Sequence, residues 1–200
     1  DIAESTTSHG KLTDINVNIE GNHVYLVFEF LTGDASGQNM VTIATNAVFE
    51  YIMSSTPVDP EYAFLDGNLS GDKKPNAHSL RSVRGKKVTA EVHLSRELIE
   101  KFLHTTPERM MQFGQMTTVG GALSGTIGIN AHYANALAAL YIACGQDAAC
   151  VGESAVGMTR MELNKHGGLY ASVTLPNIMV GTVGGGTGLP SQKACLDILG

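Results

Sequence analysis

Residues 15 to 30 alternate apolar and polar side chains on either side of a Gly-Asn pair, and this pattern constrains the fold most. Apolar residues stand at positions 15, 17 and 19, and again at 24, 26, 28 and 30. Gly21 and Asn22 lie between the two runs, and such a pair accepts the positive φ angles of a tight two-residue turn. The segment is therefore predicted to be a β-hairpin.

The segments on either side of this hairpin are predicted to form a mixed helix and strand unit with it. A helix is predicted from Met40 to about Ser54, since apolar residues recur there every three or four positions. A short strand is predicted at residues 62–65, and residues 1–10 have the character of the end of a helix. This order is that of a βαββαβ ferredoxin-like unit without its first strand and most of its first helix. We therefore expect the chain to begin inside a domain.

The later part of the chain predicts a second set of helices and strands. Strands are expected at residues 87–94, 152–162, 168–176 and 178–183. Helices are expected at 97–103, with Ser95 as its N-cap, at about 107–115, at 131–144 and from Pro190 onward. The helix at 131–144 is apolar almost all round and is expected to be buried.

Composition narrows the class of protein. The 200 residues are 43% hydrophobic and 16% charged, which is typical of a compact globular protein of one or two domains. A net charge of −6 argues against a nucleic-acid partner. The three cysteines show no Cys-x-x-Cys spacing, which favours reduced thiols in a cytoplasmic setting and predicts no metal site. No signal peptide or membrane-spanning stretch is present, so a soluble chain is expected.

A cationic segment follows the predicted unit. Six of the thirteen Lys and Arg residues fall between Lys73 and Lys87, beginning in the turn Asn68–Pro75. Such a patch suits an anionic small molecule. On these residues alone, a solvated loop that leads into a strand is the commoner explanation.

Other segments have two interpretations each. The glycine-rich stretches 117–128 and 181–188 precede predicted helices and could bind an anion through helix N-termini, or could be ordinary turns. Neither is a strict Gly-x-Gly-x-x-Gly. Asp147 is expected either to cap backbone groups or to pair with Lys73 or Lys74. His132 is expected to be a hydrogen-bonded core histidine, with Asn135 on its face of the helix.

Five motifs in this order resemble 3-hydroxy-3-methylglutaryl-coenzyme A reductase, in the biosynthetic branch of archaea and eukaryotes. They are Gly33-Asp-Ala-x-Gly-x-Asn-Met40, Gly71-Asp-Lys-Lys-Pro75, Asn130-Ala-His-Tyr-Ala-Asn135, Gly145-Gln-Asp-Ala-Ala149 and Gly181-Thr-Val-Gly-Gly-Gly-Thr187. The resemblance implies an α+β fragment in three parts. Residues 1–65 would be part of a ferredoxin-like NAD(P)-binding domain. Residues 66–86 would carry the catalytic lysine, and 87–200 would be part of a larger α/β domain for coenzyme A and substrate.

The resemblance also implies roles for individual residues. Lys73 would stabilise the oxyanion formed when hydride reaches the thioester carbonyl, and Asp147 would hold that lysine. The residues expected at the acyl group are Asp66, Asn68, Asp72, Lys74, Met116 and Asn135. Those expected at the cofactor are Ser8, His9, Asp34, Ser36, Gly37, Gln38, Asn39, Gly184, Gly185 and Gly186. Ser8 and His9 would lie at the 2′-phosphate of NADPH, with NADH as the alternative cofactor.

Departures from the family pattern accompany these roles. Met116 stands where the family has a lysine that grips the acyl carboxylate, and Asp66 stands where it has a serine. Ser36 and Gln38 replace methionines. The family's proton-donating glutamate and its thiolate-protonating histidine would lie outside residues 1–200. The resemblance implies a homodimer or homotetramer with the site between subunits. Alternatives are a paralogue that reduces another acyl-CoA and a non-catalytic nucleotide- or CoA-binding domain.

Overall fold

The computed structural model describes residues 1–200 and has a mixed α+β architecture with two small antiparallel sheets. The strands are β1 (Lys11–Glu20), β2 (His23–Leu31), β3 (Lys86–Leu94), β4 (Met158–Leu163) and β5 (Leu169–Ile178). The helices are α1 (Gln38–Ser55), α2 (Arg96–Leu98), α3 (Pro107–Ser124), α4 (Tyr133–Ala143), α5 (Val151–Ser154) and α6 (Pro190–Leu199). A π-helical turn, Ile99–Leu103, continues α2.

The chain divides into two compact units. The first comprises residues 1–72 and 181–200, and the second comprises residues 73–180. These units are defined by how closely their residues pack together. The predicted division into cofactor domain, lysine loop and substrate domain, after residues 65 and 86, stays a prediction.

The first unit contains the predicted hairpin and helix. Strands β1 and β2 pair antiparallel from Lys11 opposite Leu31 to Glu20 opposite His23, with an irregularity between Leu12 and Asp14. Helix α1 follows, and its Ala44 and Val48 are buried with Ala3 in a small core. The alternation at residues 15–30 therefore predicted the hairpin correctly, because the pleat and the Gly-Asn turn are both local properties.

Residues 62–65 do not form the predicted strand. The Tyr62 hydroxyl lies 2.6 Å from His23 Nε2, and its ring packs at an angle against Phe64. The aromatic residues that favoured a strand therefore make side-chain contacts instead of ladder hydrogen bonds.

The second unit has a three-stranded antiparallel sheet in the order β3-β5-β4. Its core contains Leu137 and Tyr141 of α4 together with Cys150 and Met179. The Tyr141 hydroxyl donates to Ser154 Oγ at 2.8 Å, so the buried ring has a polar partner. Burial raises the pKa of Tyr141, and its hydrogen bond to Ser154 opposes that rise.

Two predicted strands were misplaced. Residues 178–183 form no strand of their own, because β5 ends at Ile178, opposite Lys86, where β3 begins and the partner ladder stops. The strand predicted from Gly152 starts only at Met158, since the amide of Ala155 closes a helical turn on Val151 O at 2.8 Å.

Helix α3 is longer than predicted and includes most of the first glycine-rich stretch. It continues through Gly120 and Gly121 to Ser124, and Gly125 follows as its C-cap with a φ of 73°. Gly114 faces β4, since a Cβ there would lie 3.4 Å from Met161 Cβ, at ordinary contact distance. Residues 117–124 are therefore helical, and residues 125–128 follow the end of α3.

Helix α4 is less buried than its composition predicted. Leu137 and Tyr141 are buried, whereas Leu140 and Ile142 are exposed. His132, at the N-cap position, and Asn135 are both exposed, so the prediction of a core histidine is wrong. An apolar sequence alone does not say which surfaces a neighbour covers.

No helix is both long and apolar enough to cross a membrane.

Candidate functional site

The centre of the candidate site is an ion pair in the second unit. Lys73 Nζ lies 2.9 Å from Asp147 Oδ2, and the two side chains are 42% and 32% exposed. Asp147 also accepts a hydrogen bond from the amide of Ala149 at 2.9 Å, which caps the turn Ala148–Cys150. The alternatives of capping and pairing are therefore both realised, one on each carboxylate oxygen.

The backbone presents Lys73 in an unusual conformation. Its φ of 61° lies in the left-handed region, which non-glycine residues seldom occupy and which costs about 1–3 kcal/mol. Such strain persists only where surrounding contacts hold the residue, and it is concentrated at functional sites. Here the amide of Lys73 donates to Glu153 Oε2 at 3.3 Å.

The cationic segment is not a single anion-binding patch. Lys73 pairs with Asp147, Arg84 pairs with Glu153, and Lys86 Nζ donates to Val180 O at 3.1 Å. Three of the six cations therefore have partners within their own unit. Lys74, Arg81 and Lys87 are exposed at the surface.

Asp66 and Asn68 belong to a turn in the first unit. Asp66 Oδ1 accepts from the amide of Asn68 at 2.7 Å, and Asn68 O accepts from the amide of Gly71 at 3.2 Å. Asn68 has a φ of 63°. Asp72, in the same unit, donates its amide to Ser70 Oγ at 3.3 Å. The Asp66 side chain thus has a local role in shaping the turn that approaches the lysines along the chain.

The remaining residues predicted at the acyl group lie in the second unit. Lys74 accepts from Asn76 Nδ2 through its carbonyl oxygen at 3.0 Å. Met116 is on α3 with 73% exposure, and Asn135 is exposed on α4.

The two loops predicted to bind the cofactor meet within the first unit. The amide of Thr182 donates to Asp34 O at 2.8 Å, and Ala35 and Val183 form a parallel β-bridge. A Cβ at Gly181 would lie 2.4 Å from Ser36 N. Only glycine permits this approach, so the loops 34–39 and 181–186 form one continuous feature.

The cofactor loop ends at a helix N-terminus. Gly37 is the N-cap of α1 with a φ of 79°, and a Cβ there would lie 2.3 Å from Thr32 Cγ2. Gln38 and Asn39 are the first residues of that helix. Ser36 Oγ is buried with no hydrogen-bond partner in this structure. A buried hydroxyl of this kind, beside amides at a helix N-terminus, is suited to an anionic or hydroxylated ligand.

The other cofactor residues lie at the edges of this feature. Gly184 and Gly185 both have positive φ, and Gly184 O accepts from the Thr187 hydroxyl at 2.5 Å, which closes the turn Gly185–Gly188 before α6. Gly186 is half-buried in that turn. Ser8 Oγ and His9 Nδ1 share a hydrogen bond at 2.8 Å, and both residues are exposed.

The structure adds Glu153, Arg84 and Asn177 to the site, which the sequence did not predict there. Glu153 is fully buried, receives a two-pronged contact from Arg84, and accepts from Asn177 Nδ2 at 3.1 Å. The available signal was a lone carboxylate among the small and apolar residues 151–156, since buried charges require partners.

Comparison with known proteins gives one consistent result. The family model described as hydroxymethylglutaryl-coenzyme A reductase matches residues 1–200. A 3-hydroxy-3-methylglutaryl-coenzyme A reductase of Pyrococcus abyssi is 47% identical over 195 residues, which are 97% of this chain and 48% of that protein. The enzyme of the same name from Haloferax volcanii is 47% identical over 199 residues, 99% of this chain and 49% of that protein. The one from Methanocaldococcus jannaschii is 42% identical over 205 residues, covering 100% of this chain and 50% of that protein. The chain spans about half the length of these relatives.

Proposed function

The chain belongs to the hydroxymethylglutaryl-coenzyme A reductase family, and from that premise we propose that it carries the lysine centre and part of the cofactor site of such a reductase. The reaction is the reduction of 3-hydroxy-3-methylglutaryl-coenzyme A to mevalonate and free coenzyme A by two hydride transfers. NADPH is the proposed hydride source.

The observation that carries this proposal is the contact of Lys73 Nζ with Asp147 at 2.9 Å. A thioester carbonyl gains negative charge on oxygen as hydride arrives, and a fixed ammonium group beside that oxygen lowers the barrier. Asp147 favours the protonated amine and restrains its position, while its second oxygen is tied to the amide of Ala149. We assign Lys73 the role of oxyanion stabiliser and Asp147 the role of orienting and tuning that amine.

The first unit supports a cofactor role. The apposed loops, the N-terminus of α1 and the partnerless hydroxyl of Ser36 fit a phosphate-bearing dinucleotide. The residues proposed to bind it are Asp34, Ser36, Gly37, Gln38, Asn39, Gly184, Gly185 and Gly186, with Ser8 and His9 at the 2′-phosphate. When bound, the nicotinamide group supplies the hydride. The hairpin and α1 support the proposal that this unit is part of a ferredoxin-like domain.

The acyl group is proposed to lie at Asn68, Asp72, Lys74 and Asn135. Asp66 and Met116 favour a second candidate, a paralogue with a different acyl-CoA substrate. The Asp66 carboxylate would repel an acyl carboxylate, and Met116 offers no charge to bind one. Substrate comparison decides between the two candidates.

We also propose a homodimeric or tetrameric assembly with the site between subunits. Helix α3 supports it, because Phe113, Met116, Val119 and Leu123 are exposed apolar residues at near-helical spacing. Analytical ultracentrifugation of the full-length protein tests the assembly, and a monomer would contradict it.

The activity is tested by NADPH oxidation with 3-hydroxy-3-methylglutaryl-coenzyme A in the full-length protein. Lys73→Ala is expected to lower kcat by about 100- to 1,000-fold, the usual effect of removing one group that stabilises an oxyanion. Lys165→Ala removes an exposed lysine in the second unit and is the matched control, with kcat unchanged.

The other outcomes of this assay distinguish the alternative functions. Undiminished turnover in Lys73→Ala removes this lysine from the mechanism. Turnover with another acyl-CoA alone favours the paralogue, and cofactor binding without turnover of any acyl-CoA favours a non-catalytic binding domain.

A further inference from the structure

Glu153 is a charged side chain in a place where charge is costly. The residue is fully buried and its side chain is 1% exposed. An ionised carboxylate in such a position requires close compensation by cations and hydrogen-bond donors. Each of its two oxygens has two donors.

Arg84 supplies the charge compensation. Its Nε donates to Glu153 Oε1 at 2.6 Å and its Nη2 donates to Oε2 at 2.5 Å, which is the paired geometry that guanidinium and carboxylate groups favour. Asn177 adds a donor to Oε1 at 3.1 Å and accepts from the amide of Arg84 at 2.7 Å. Arg84 and Asn177 therefore supply three of the four donors to the Glu153 carboxylate and fix its position.

The fourth donor to the Glu153 carboxylate is the backbone amide of Lys73. Glu153 Oε2 accepts from the Lys73 amide at 3.3 Å. The neighbouring residue Gly152 lies against the same segment, since a Cβ there would lie 3.4 Å from Lys73 O and 3.9 Å from Pro75 Cδ. Helix α5 thus contacts the lysine backbone on its amide side and on its carbonyl side.

The same segment also carries Asp147. The turn Ala148–Cys150 joins Asp147 to α5, and the Asp147 carboxylate caps that turn. One short stretch, residues 147–154, therefore holds the Lys73 amine through Asp147 and the Lys73 amide through Glu153. A left-handed φ at a residue with a long side chain requires such restraint.

We propose that Glu153, with Arg84, is a positioning residue that fixes the strained backbone of Lys73 so that its amine stays on Asp147. The proposal rests on the function proposed above for Lys73. It assigns the buried ion pair a role in the rate of hydride transfer and no contact with substrate or cofactor.

The test uses Glu153→Gln in the full-length protein. The amide has the size of the carboxylate but turns one acceptor into a donor, which faces the donors of Arg84, Asn177 or Lys73. We expect kcat to fall by about 10- to 100-fold, because a displacement of about 1 Å at a catalytic group has effects of that size. The KM for NADPH is expected to stay unchanged. Glu162→Gln, in the exposed pair with Arg160, is the matched control and is expected to leave kcat unchanged.

Two further measurements separate positioning from general stabilisation. In a Lys73→Ala background, Glu153→Gln is expected to cause no further loss, since there is no amine left to position. An equal loss in both backgrounds would overturn the proposal. If Glu153→Gln does not fold, Arg84→Lys replaces it, because it keeps the charge but not the two-pronged geometry, and the same criteria apply.

A readout without catalysis distinguishes this proposal from the function on which it rests. Hydrogen exchange at the Lys73 amide is expected to accelerate in Glu153→Gln and not in Glu162→Gln. Unchanged exchange overturns the positioning role whatever the enzyme does. Full turnover in Lys73→Ala would instead overturn the proposed function. Accelerated exchange in Glu153→Gln would in that case still show that Glu153 holds the Lys73 amide.

Discussion

Replacing Gly181 by alanine tests whether the two apposed loops form the cofactor site. The new Cβ would lie 2.4 Å from Ser36 N, 2.9 Å from Ala35 C and 3.0 Å from Asp34 O. Ordinary contact begins at 3.4 Å, and all three atoms belong to the backbone, so no side-chain rotation relieves the overlap.

The magnitude follows from this geometry. The loops must separate by about 1 Å, and insertion of a methyl group into a close-packed contact costs about 1–3 kcal/mol. If the whole cost falls on the cofactor-binding arrangement, the Kd for NADPH rises by about 5- to 150-fold. The bridge of Ala35 to Val183 and the hydrogen bond from Thr182 to Asp34 would weaken together.

The assay is fluorescence titration of the full-length protein with NADPH. Gly188→Ala is the matched control in the same loop, because a Cβ there would meet nothing within 4 Å. Its Kd is expected to equal that of the unmodified protein. Equal Kd values for Gly181→Ala and Gly188→Ala, in folded proteins, would refute the assignment of these loops to the cofactor.

Three further predictions follow from other contacts. Met116→Lys is expected to tighten binding of 3-hydroxy-3-methylglutaryl-coenzyme A and not of an acyl-CoA whose acyl group has no free carboxylate; unchanged affinity in a calorimetric titration would argue against the placement of Met116 at that carboxylate. The hydrogen bond from Arg96 lowers the pKa of Glu108 to about 2. The ionised Glu108 therefore stabilises the folded protein above its ordinary pKa of 4.5, and this stabilisation is lost as the pH falls toward 2. In Arg96→Gln, NMR titration should return the Glu108 pKa toward its ordinary value, and an unmoved pKa would exclude this cause. Leu169→Ala removes a fully buried side chain and should lower the free energy of unfolding by about 2–5 kcal/mol in urea denaturation, whereas the exposed Leu199→Ala should change it by less than about 0.5 kcal/mol; equal effects would contradict the assignment of Leu169 to the core.

The local parts of the fold were predictable because their signals are local. Alternation and a Gly-Asn pair predicted β1 and β2, and periodic apolar residues predicted α1. Ser95 was predicted as an N-cap, and its hydroxyl accepts from the amide of Leu98 at 3.3 Å. Each of these features depends on residues within a few positions of one another.

Predictions failed where a distant neighbour decides the outcome. Residues 178–183 look like a strand, but β3 supplies no partner beyond Lys86. Gly120 and Gly121 look like a loop, yet they lie within α3, which packs on β4 through Gly114. Residues 62–65 have the composition of a strand, but Tyr62 contacts His23 of the hairpin.

The sequence by itself determined the family, the hairpin and α1, and it identified Lys73 and Asp147 as the residues on which the chemistry is proposed to depend, because motif order and short-range periodicity are written along the chain. The tertiary structure placed the Lys73 amine 2.9 Å from Asp147, and it revealed that Glu153 holds the Lys73 backbone from 80 residues away. A buried charge is satisfied by donors from distant segments, here Arg84 and Asn177, and such pairings exist only when the chain is folded.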